Sequence, residues 1–264
     1  MARLALDDNN VVAVRADNPG PLTLSGTNTW IIGAEPAWMI DPGPALDSHL
    51  DALMAVVRER GGLGGIALTH SHPDHAEGLA PLRQRLGTDV RVGAYAYPGT
   101  HPLRDGDRFG PLSVLELPGH APDHVVFLAD GIAFTGDAVL GEGSVFIAPD
   151  PGALAGYLAG LERLLAKQPR LIAPAHGPVV TDPRARIEGY ISHRLEREQR
   201  LVSALSDGAR SVEQLLDSAW SDVPAELRFA AAVTLSAHLD KLAGEGRLPA
   251  GVERPARPLS PDAS

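Results

Sequence analysis

The run Thr69-His70-Ser71-His72-Pro73-Asp74-His75 constrains this chain more than any other segment. Three imidazoles and a carboxylate fall within six positions, and these are the nitrogen and oxygen donors that a catalytic zinc takes. The residues before the run, Gly65-Ile66-Ala67-Leu68-Thr69, read as a short buried strand after a glycine cluster. Pro73 suits the first turn of a helix, and Leu79, Leu82 and Leu86 follow at helical spacing. The donors therefore sit on a loop between two rigid elements, which can hold several side chains around one point.

Three later positions have the same context. His120 follows the strand-like Leu112–Leu117 through Pro118-Gly119, Asp137 follows Phe134-Thr135-Gly136, and His176 follows Leu171–Ala175. Each places one donor just past a strand and beside a glycine that allows a tight turn. Together with the first run they give seven donors, about what two adjacent metal ions and a shared water need. The chain has no cysteine, so histidine and carboxylate must supply any ligation.

On these residues the chain resembles the metallo-β-lactamase superfamily of hydrolases, matching in order Thr69 to His75, Gly119-His120, Gly136-Asp137 and His176-Gly177. The resemblance implies an α/β fold, the αββα sandwich. It implies that His70, His72 and His120 hold one metal, that Asp74, His75 and His176 hold a second, and that Asp137 bridges both. The ions would be two Zn²⁺, with Mn²⁺ or Fe²⁺ as alternatives. True zinc β-lactamases lack the bridging Asp, which argues against antibiotic hydrolysis as the native task.

A narrower resemblance spans nearly the whole chain. Gly26-Thr27-Asn28-Thr29-Trp30, Pro118-Gly119-His120-Ala121-Pro122-Asp123-His124, Gly136 to Gly143, and Tyr190-Ile191-Ser192-His193-Arg194 are similar to the lactamase-beta-like-2 family. Its animal member is a single-strand-specific endoribonuclease, and fungal relatives are thioesterases of polyketide carrier proteins. The implied chemistry is hydrolysis by a hydroxide that bridges the metals. Asp74 is the candidate catalytic carboxylate that accepts and returns protons. Asp41 and Asp123 are candidates to orient ligand imidazoles, and His193 is a candidate to contact an anionic group of the substrate.

Between the enzyme readings, an acyl thioester is preferred to single-stranded RNA. The net charge is −10, no basic stripe is visible, and the short interval between Asp137 and His176 leaves no room for an RNA-clamping insert. A non-catalytic metal-binding regulator is a third reading, disfavoured by the intact donor set. Expected substrates are therefore small-molecule or carrier-linked thioesters, with single-stranded RNA as the alternative.

The expected domains are a hydrolase domain over residues 1–206, a winged-helix-like module over 207–250 and a disordered tail over 251–264. Arg184 to Leu205 reads as a long helix, and Ser211-Val212-Glu213-Gln214 as a capping-box helix start. Acidic residues exceed basic ones after Leu201, so the module suits packing or homodimerisation and disfavours duplex DNA. No stretch approaches a membrane helix in length and the N-terminus is too short in apolar residues for a signal peptide, which makes a cytoplasmic location the expectation. His49 reads as a surface or partly packed histidine. Asp130-Gly131 reads as the tight turn of a hairpin that brings His124 near Asp137.

Overall fold

Adjacent residues along the strands bury against different partners, and that alternation builds the layers. The computed structural model describes residues 3–6, 10–87 and 89–256. The first sheet runs in chain order through β1 (Arg3–Leu6), β2 (Val11–Arg15), β3 (Asn28–Ile32), β4 (Ala37–Ile40), β5 (Leu63–Ala67), β6 (Val92–Ala94) and β7 (His101–Pro102). The second contains β8 (Arg108–Phe109), β9 (Leu112–Glu116), β10 (Val125–Ala129), β11 (Ile132–Gly136) and β12 (Leu171–Pro174), ordered β12-β11-β10-β9-β8. Helices α1 (Asp47–Glu59), α2 (Pro73–Ala76) and α3 (Leu79–Leu86) fall within the first half of the chain. Helices α4 (Ala153–Ala166), α5 (Pro183–Ser206), α6 (Val212–Ala219) and α7 (Arg228–Gly244) fall in the second.

Val12, Val14, Ile31 and Met39 pack on Leu50, Leu53, Leu79 and Leu82 of α1 and α3. Their neighbours Val11, Ala13, Trp30 and Ile32 turn the other way, onto Val114, Phe127, Ile132 and Phe134 of the second sheet. The far face of that sheet, through Leu115, Val126 and Ala133, meets Leu154 and Leu161 of α4 and Ile187 and Tyr190 of α5. The result is the expected αββα sandwich. β3 and β11 are buried along their whole length on both faces, which is why neither alternates apolar with charged residues.

Local sequence explains the connections. Asp130 and Gly131 both have positive φ, 49° and 75°, the two left-handed residues of a type I′ turn between β10 and β11. The single helix expected after Pro73 is two, α2 and α3, because Gly78 passes against the loop after β4. Its N–H donates to the Gly43 carbonyl at 2.8 Å. β1 was not foreseen; it pairs antiparallel with β2.

α5 spans two cores. Ile187 and Tyr190 belong to the sandwich, whereas Leu201, Ala204 and Leu205 pack with Leu215, Trp220, Leu235 and Leu239 of the C-terminal module. The module thus begins to pack before the expected boundary at 206, although the chain turns at Asp207-Gly208. The capping box forms at α6, with the Ser211 hydroxyl accepting from the Gln214 N–H. The segment expected to be a disordered tail is described as far as residue 256. Glu253 is pinned, its N–H donating to the Arg210 carbonyl at 2.8 Å and its carboxylate accepting from the Val212 N–H at 3.1 Å. The rest of that expectation, residues 257–264, lies outside the described residues. Among the described residues no helix is long and apolar enough to cross a membrane.

Candidate metal centre

β4 and β5 run parallel, as do β11 and β12, and β9 shares their direction through the antiparallel β10. The loops leaving these strands therefore gather at one edge of the sandwich. Two backbone bonds join the sheets there, from the Val125 N–H to the Thr69 carbonyl at 2.8 Å and from the Asn28 N–H to the Ala175 carbonyl at 2.7 Å. Gly136 makes the approach tight. At φ 49°, a Cβ on it would stand 2.6 Å from Thr69 Oγ1 and 2.9 Å from His124 Nε2.

All seven sequence-derived donors meet at this edge. His72 Nδ1 lies 3.0 Å from both His70 Nε2 and His120 Nε2. On the other side, His176 Nε2 is 3.2 Å from Asp74 Oδ2 and from Asp137 Oδ1, and His75 Nε2 is 3.4 Å from Asp74 Oδ2. Asp137 stands between the groups, with Oδ2 facing His120 Nε2 at 3.5 Å and Oδ1 facing His75 Nε2 at 3.5 Å. His70, His72 and His120 form one candidate metal-holding group, and Asp74, His75 and His176 another.

Four of the five donor imidazoles, all but His72, are aimed by the bond the other ring nitrogen makes. His75 Nδ1–H donates to Asp41 Oδ2 at 2.9 Å, His120 Nδ1–H to the Phe146 carbonyl at 3.2 Å and His176 Nδ1–H to the Gly26 carbonyl at 3.4 Å. His70 Nδ1–H donates to Thr69 Oγ1 at 3.1 Å, and that hydroxyl donates to Asp41 Oδ2 at 2.6 Å. Asp41 Oδ1 also accepts from the Thr69 N–H at 2.7 Å. Asp41 holds these bonds from a left-handed backbone, φ 52°, and is 2 % exposed. Strain of this kind persists where the surroundings over-determine it.

The donor set fits divalent cations. Three imidazole nitrogens converge at about van der Waals contact or closer, and His75 Nε2 and Asp137 Oδ1 are buried without a hydrogen-bond partner. Burial drives the His70 pKa well below its ordinary value and that of His120 to about 4, leaving neutral imidazoles with lone pairs to donate. Burial opposes charge on His75 and His176 as well. There the carboxylates win: Asp137, Asp74 and Asp41 pull His75 well above its usual range, and Asp137 and Asp74 raise His176 to about 9. Burial would raise Asp137, but His176 and His75 hold it well below the carboxylate range. A field that favours protons on buried imidazoles also favours a metal cation in their place.

The remaining candidates divide. Asp41 takes the orienting position expected of it. Asp123 is half-buried and among the described residues makes no hydrogen bond to an imidazole, so that task falls to Asp41, Thr69 and two backbone carbonyls. His193 lines a cavity of about 270 Å³ that has His120 and Asp137 at one end. His49 is fully buried, contrary to expectation. Its Nε2 lies 3.0 Å from Thr29 Oγ1, which donates to the Asp41 carbonyl, and burial lowers its pKa to about 4. His124 approaches Asp137, as the hairpin turn predicts. It accepts from the Asp137 N–H at 3.1 Å and stacks on His70 at 4.9 Å between ring centres.

Comparison with known proteins agrees with this geometry. Residues 22–112 match the metallo-β-lactamase superfamily model, and residues 211–249 match the β-lactamase-associated winged helix domain. The chain is 31% identical to the β-lactamase-like protein 2 homolog of Drosophila melanogaster over 91% of its own length and 90% of that protein's. The chain belongs to the metallo-β-lactamase superfamily. It is a hydrolase of that superfamily, which implies divalent metal ions, and the acidic C-terminal module is the superfamily's winged helix. It is also 32% identical to an atrochrysone carboxyl ACP thioesterase of Cryptosporiopsis sp. (strain 8999) over 74% of this chain, and spans 62% of that relative. A β-lactamase domain protein from Burkholderia ambifaria has the same fold, with a TM-score of 0.81, 22% identity and coverage of 97% of this chain and 93% of the other.

Proposed function

We propose that this metallo-β-lactamase-fold hydrolase cleaves acyl thioesters, small or carrier-linked, at a two-zinc centre in the cytoplasm. The observation that carries this reading is the wall of the 270 Å³ cavity. From His120 and Asp137 it runs along Leu140, Val145 and Phe146 to Trp220, Val223 and Leu227 of the winged-helix module. The wall is a chiefly apolar sleeve that suits an acyl chain, and its two arginines, Arg194 and the Asp222-paired Arg197, are too few to hold the successive phosphates of a polyanion. We read residues 207–250 as the module that closes this sleeve.

His70, His72 and His120 would hold one ion and Asp74, His75 and His176 the other, with Asp137 between them. Bound there, the ions supply a Lewis acid for the thioester carbonyl and a water of lowered pKa. The chain's own residues do the rest. Asp74, whose side chain is 27 % exposed, is ionised at neutral pH because His75 and His176 outweigh the effect of its burial. It can take a proton from the attacking water and return one to the departing thiolate. That demand is modest, because a thiol near pKa 8.5 leaves readily. The Phe146 ring lies 4.5 Å from the His120 ring centre and shields the centre beside the sleeve.

The test is a substrate panel on metal-loaded protein and on His72→Ala. Hydrolysis of acyl-coenzyme A or acyl-glutathione that disappears in the variant supports the reading. Cleavage of labelled single-stranded RNA without thioester turnover refutes it.

A further inference from the structure

The chemistry described so far makes no use of Arg194. This α5 residue is 2 % exposed and lines the same cavity. Its neighbour one turn on, Arg197, is 5 % exposed and is neutralised by Asp222, with one bond at 2.8 Å. Arg194 has no carboxylate partner among the described residues. Its Nη2 donates to the Val145 carbonyl, its guanidinium lies 5.8 Å from the Tyr157 ring centre, and its Nε–H is buried with no acceptor. Beside it, His193 Nδ1 is also buried without a partner, while His193 Nε2 accepts from Arg197 at 3.3 Å. Burial and the two adjacent arginines keep this imidazole neutral, with a pKa near 4. The cavity wall thus carries one uncompensated positive charge next to open hydrogen-bonding atoms. A buried charge without a partner is costly, and an anionic ligand removes that cost.

The chemistry of the surroundings selects the anion. A phosphate on a thiol carrier would sit where the carrier arm enters, whereas Arg194 is almost wholly enclosed. A single guanidinium with a free Nε edge matches a carboxylate in both charge and shape. Its position relative to the metal centre is also suitable. Arg194 binds the carbonyl of Val145, and the next carbonyl, that of Phe146, accepts from His120. The guanidinium and a metal-holding imidazole are therefore bonded to neighbouring residues on one stretch of the cavity wall. We infer that Arg194 binds a carboxylate at the far end of the acyl group, so that the preferred substrates are thioesters of dicarboxylic acids. This rests on the thioester reading for the reaction, but the anion site can be tested apart from it.

The kinetic comparison uses glutaryl and pentanoyl thioesters of N-acetylcysteamine, equal in chain length and differing in the terminal carboxylate. Metal-loaded wild type should favour the glutaryl compound about tenfold or more in kcat/KM. Arg194→Met should bring the ratio to about one or below, and Arg194→Lys should leave an intermediate ratio. An arginine that merely holds the Val145 loop would lower both rates together and leave the ratio unchanged, which would overturn the inference. A turnover-independent arm follows tryptophan fluorescence, to which Trp220 in the cavity wall contributes, during titration with glutarate or pentanoate. Tighter binding of glutarate, lost in Arg194→Met, sustains the carboxylate site even if no thioester is cleaved, in which case the thioester reading alone fails. Equal binding of both acids in wild type and variant, with thioesters still hydrolysed, overturns the site and leaves the reaction intact. Arg194-dependent binding of a short single-stranded RNA, with no effect of glutarate, also overturns it.

Discussion

Replacing Asp41 by Asn should separate orientation from coordination. The substitution keeps the side-chain shape, and Asn tolerates the left-handed backbone that Asp41 adopts at φ 52°. What changes is the set of acceptors. Asp41 Oδ2 takes hydrogen bonds from Thr69 Oγ1 at 2.6 Å and from His75 Nδ1 at 2.9 Å, while Oδ1 takes the Thr69 N–H at 2.7 Å. In either amide orientation an NH₂ group must face one of these donor sets, so at least one buried donor loses its partner. Bonds to a charged acceptor contribute about 1.5–3 kcal/mol each. Loss of the carboxylate behind a metal-holding imidazole typically weakens metal binding about 10- to 100-fold, or roughly 1.4–2.7 kcal/mol, so the two scales agree. The assay is competition for Zn²⁺ against a chromogenic chelator, with circular dichroism to confirm the fold. The weaker ion, held through His75, should dissociate first. A correctly folded Asp41→Asn protein whose metal affinity stays within about twofold of wild type would refute the argument that Asp41 aims His75.

Chelation should lower the thermal midpoint by about 5–10 °C, because metal at a hundred times its dissociation constant adds about 2.7 kcal/mol to the folded state; differential scanning calorimetry with and without chelator measures it. Gly78→Ala should destabilise by about 2 kcal/mol, since its Cβ would stand 2.8 Å from the Gly43 carbonyl and 2.9 Å from that of Pro42; urea unfolding reads the loss. His238 is fully buried with a pKa lowered to about 3, chiefly by burial and also by Arg194 and Lys241. The unfolded chain takes up that proton near pH 6.5 and the folded chain does not, so stability is complete above pH 6.5 and falls below it. The expected loss is about 2 kcal/mol between pH 7 and pH 5, and urea midpoints at the two pH values should show a smaller difference in His238→Gln.

The donors were legible because each group of them follows an apolar run and has a glycine or proline within it or beside it, Pro73 in the first and Gly119, Gly136 and Gly177 in the others, which marks a strand end without knowledge of tertiary structure. The hairpin was legible for the same reason, since Asp130-Gly131 encodes its turn locally. His49 was misread because helical periodicity gives the buried face of α1 but not what lies beneath it, and there it meets Thr29 from a distant strand. The hydrogen bonds of Thr69, and those that Phe146 and Gly26 accept through backbone carbonyls, leave no mark on residue identity. The close approach that requires Gly78 leaves no local mark either, because its partners lie in the Pro42-Gly43 turn, more than thirty positions earlier.

The continuity of α5 means that one rigid rod carries Tyr190 in the sandwich, Arg194 in the cavity wall and Leu205 in the winged-helix core. The loops that assemble the metal donors are anchored to the strands instead. On the proposed function, choice of acyl group and cleavage of the bond fall to different structural supports that meet along one cavity. Substitutions midway along the rod, where His193, Arg194 and Arg197 line the cavity, can reshape what enters while the donor set stays in place, so a lineage built on this plan can exchange substrates without rebuilding its metal centre.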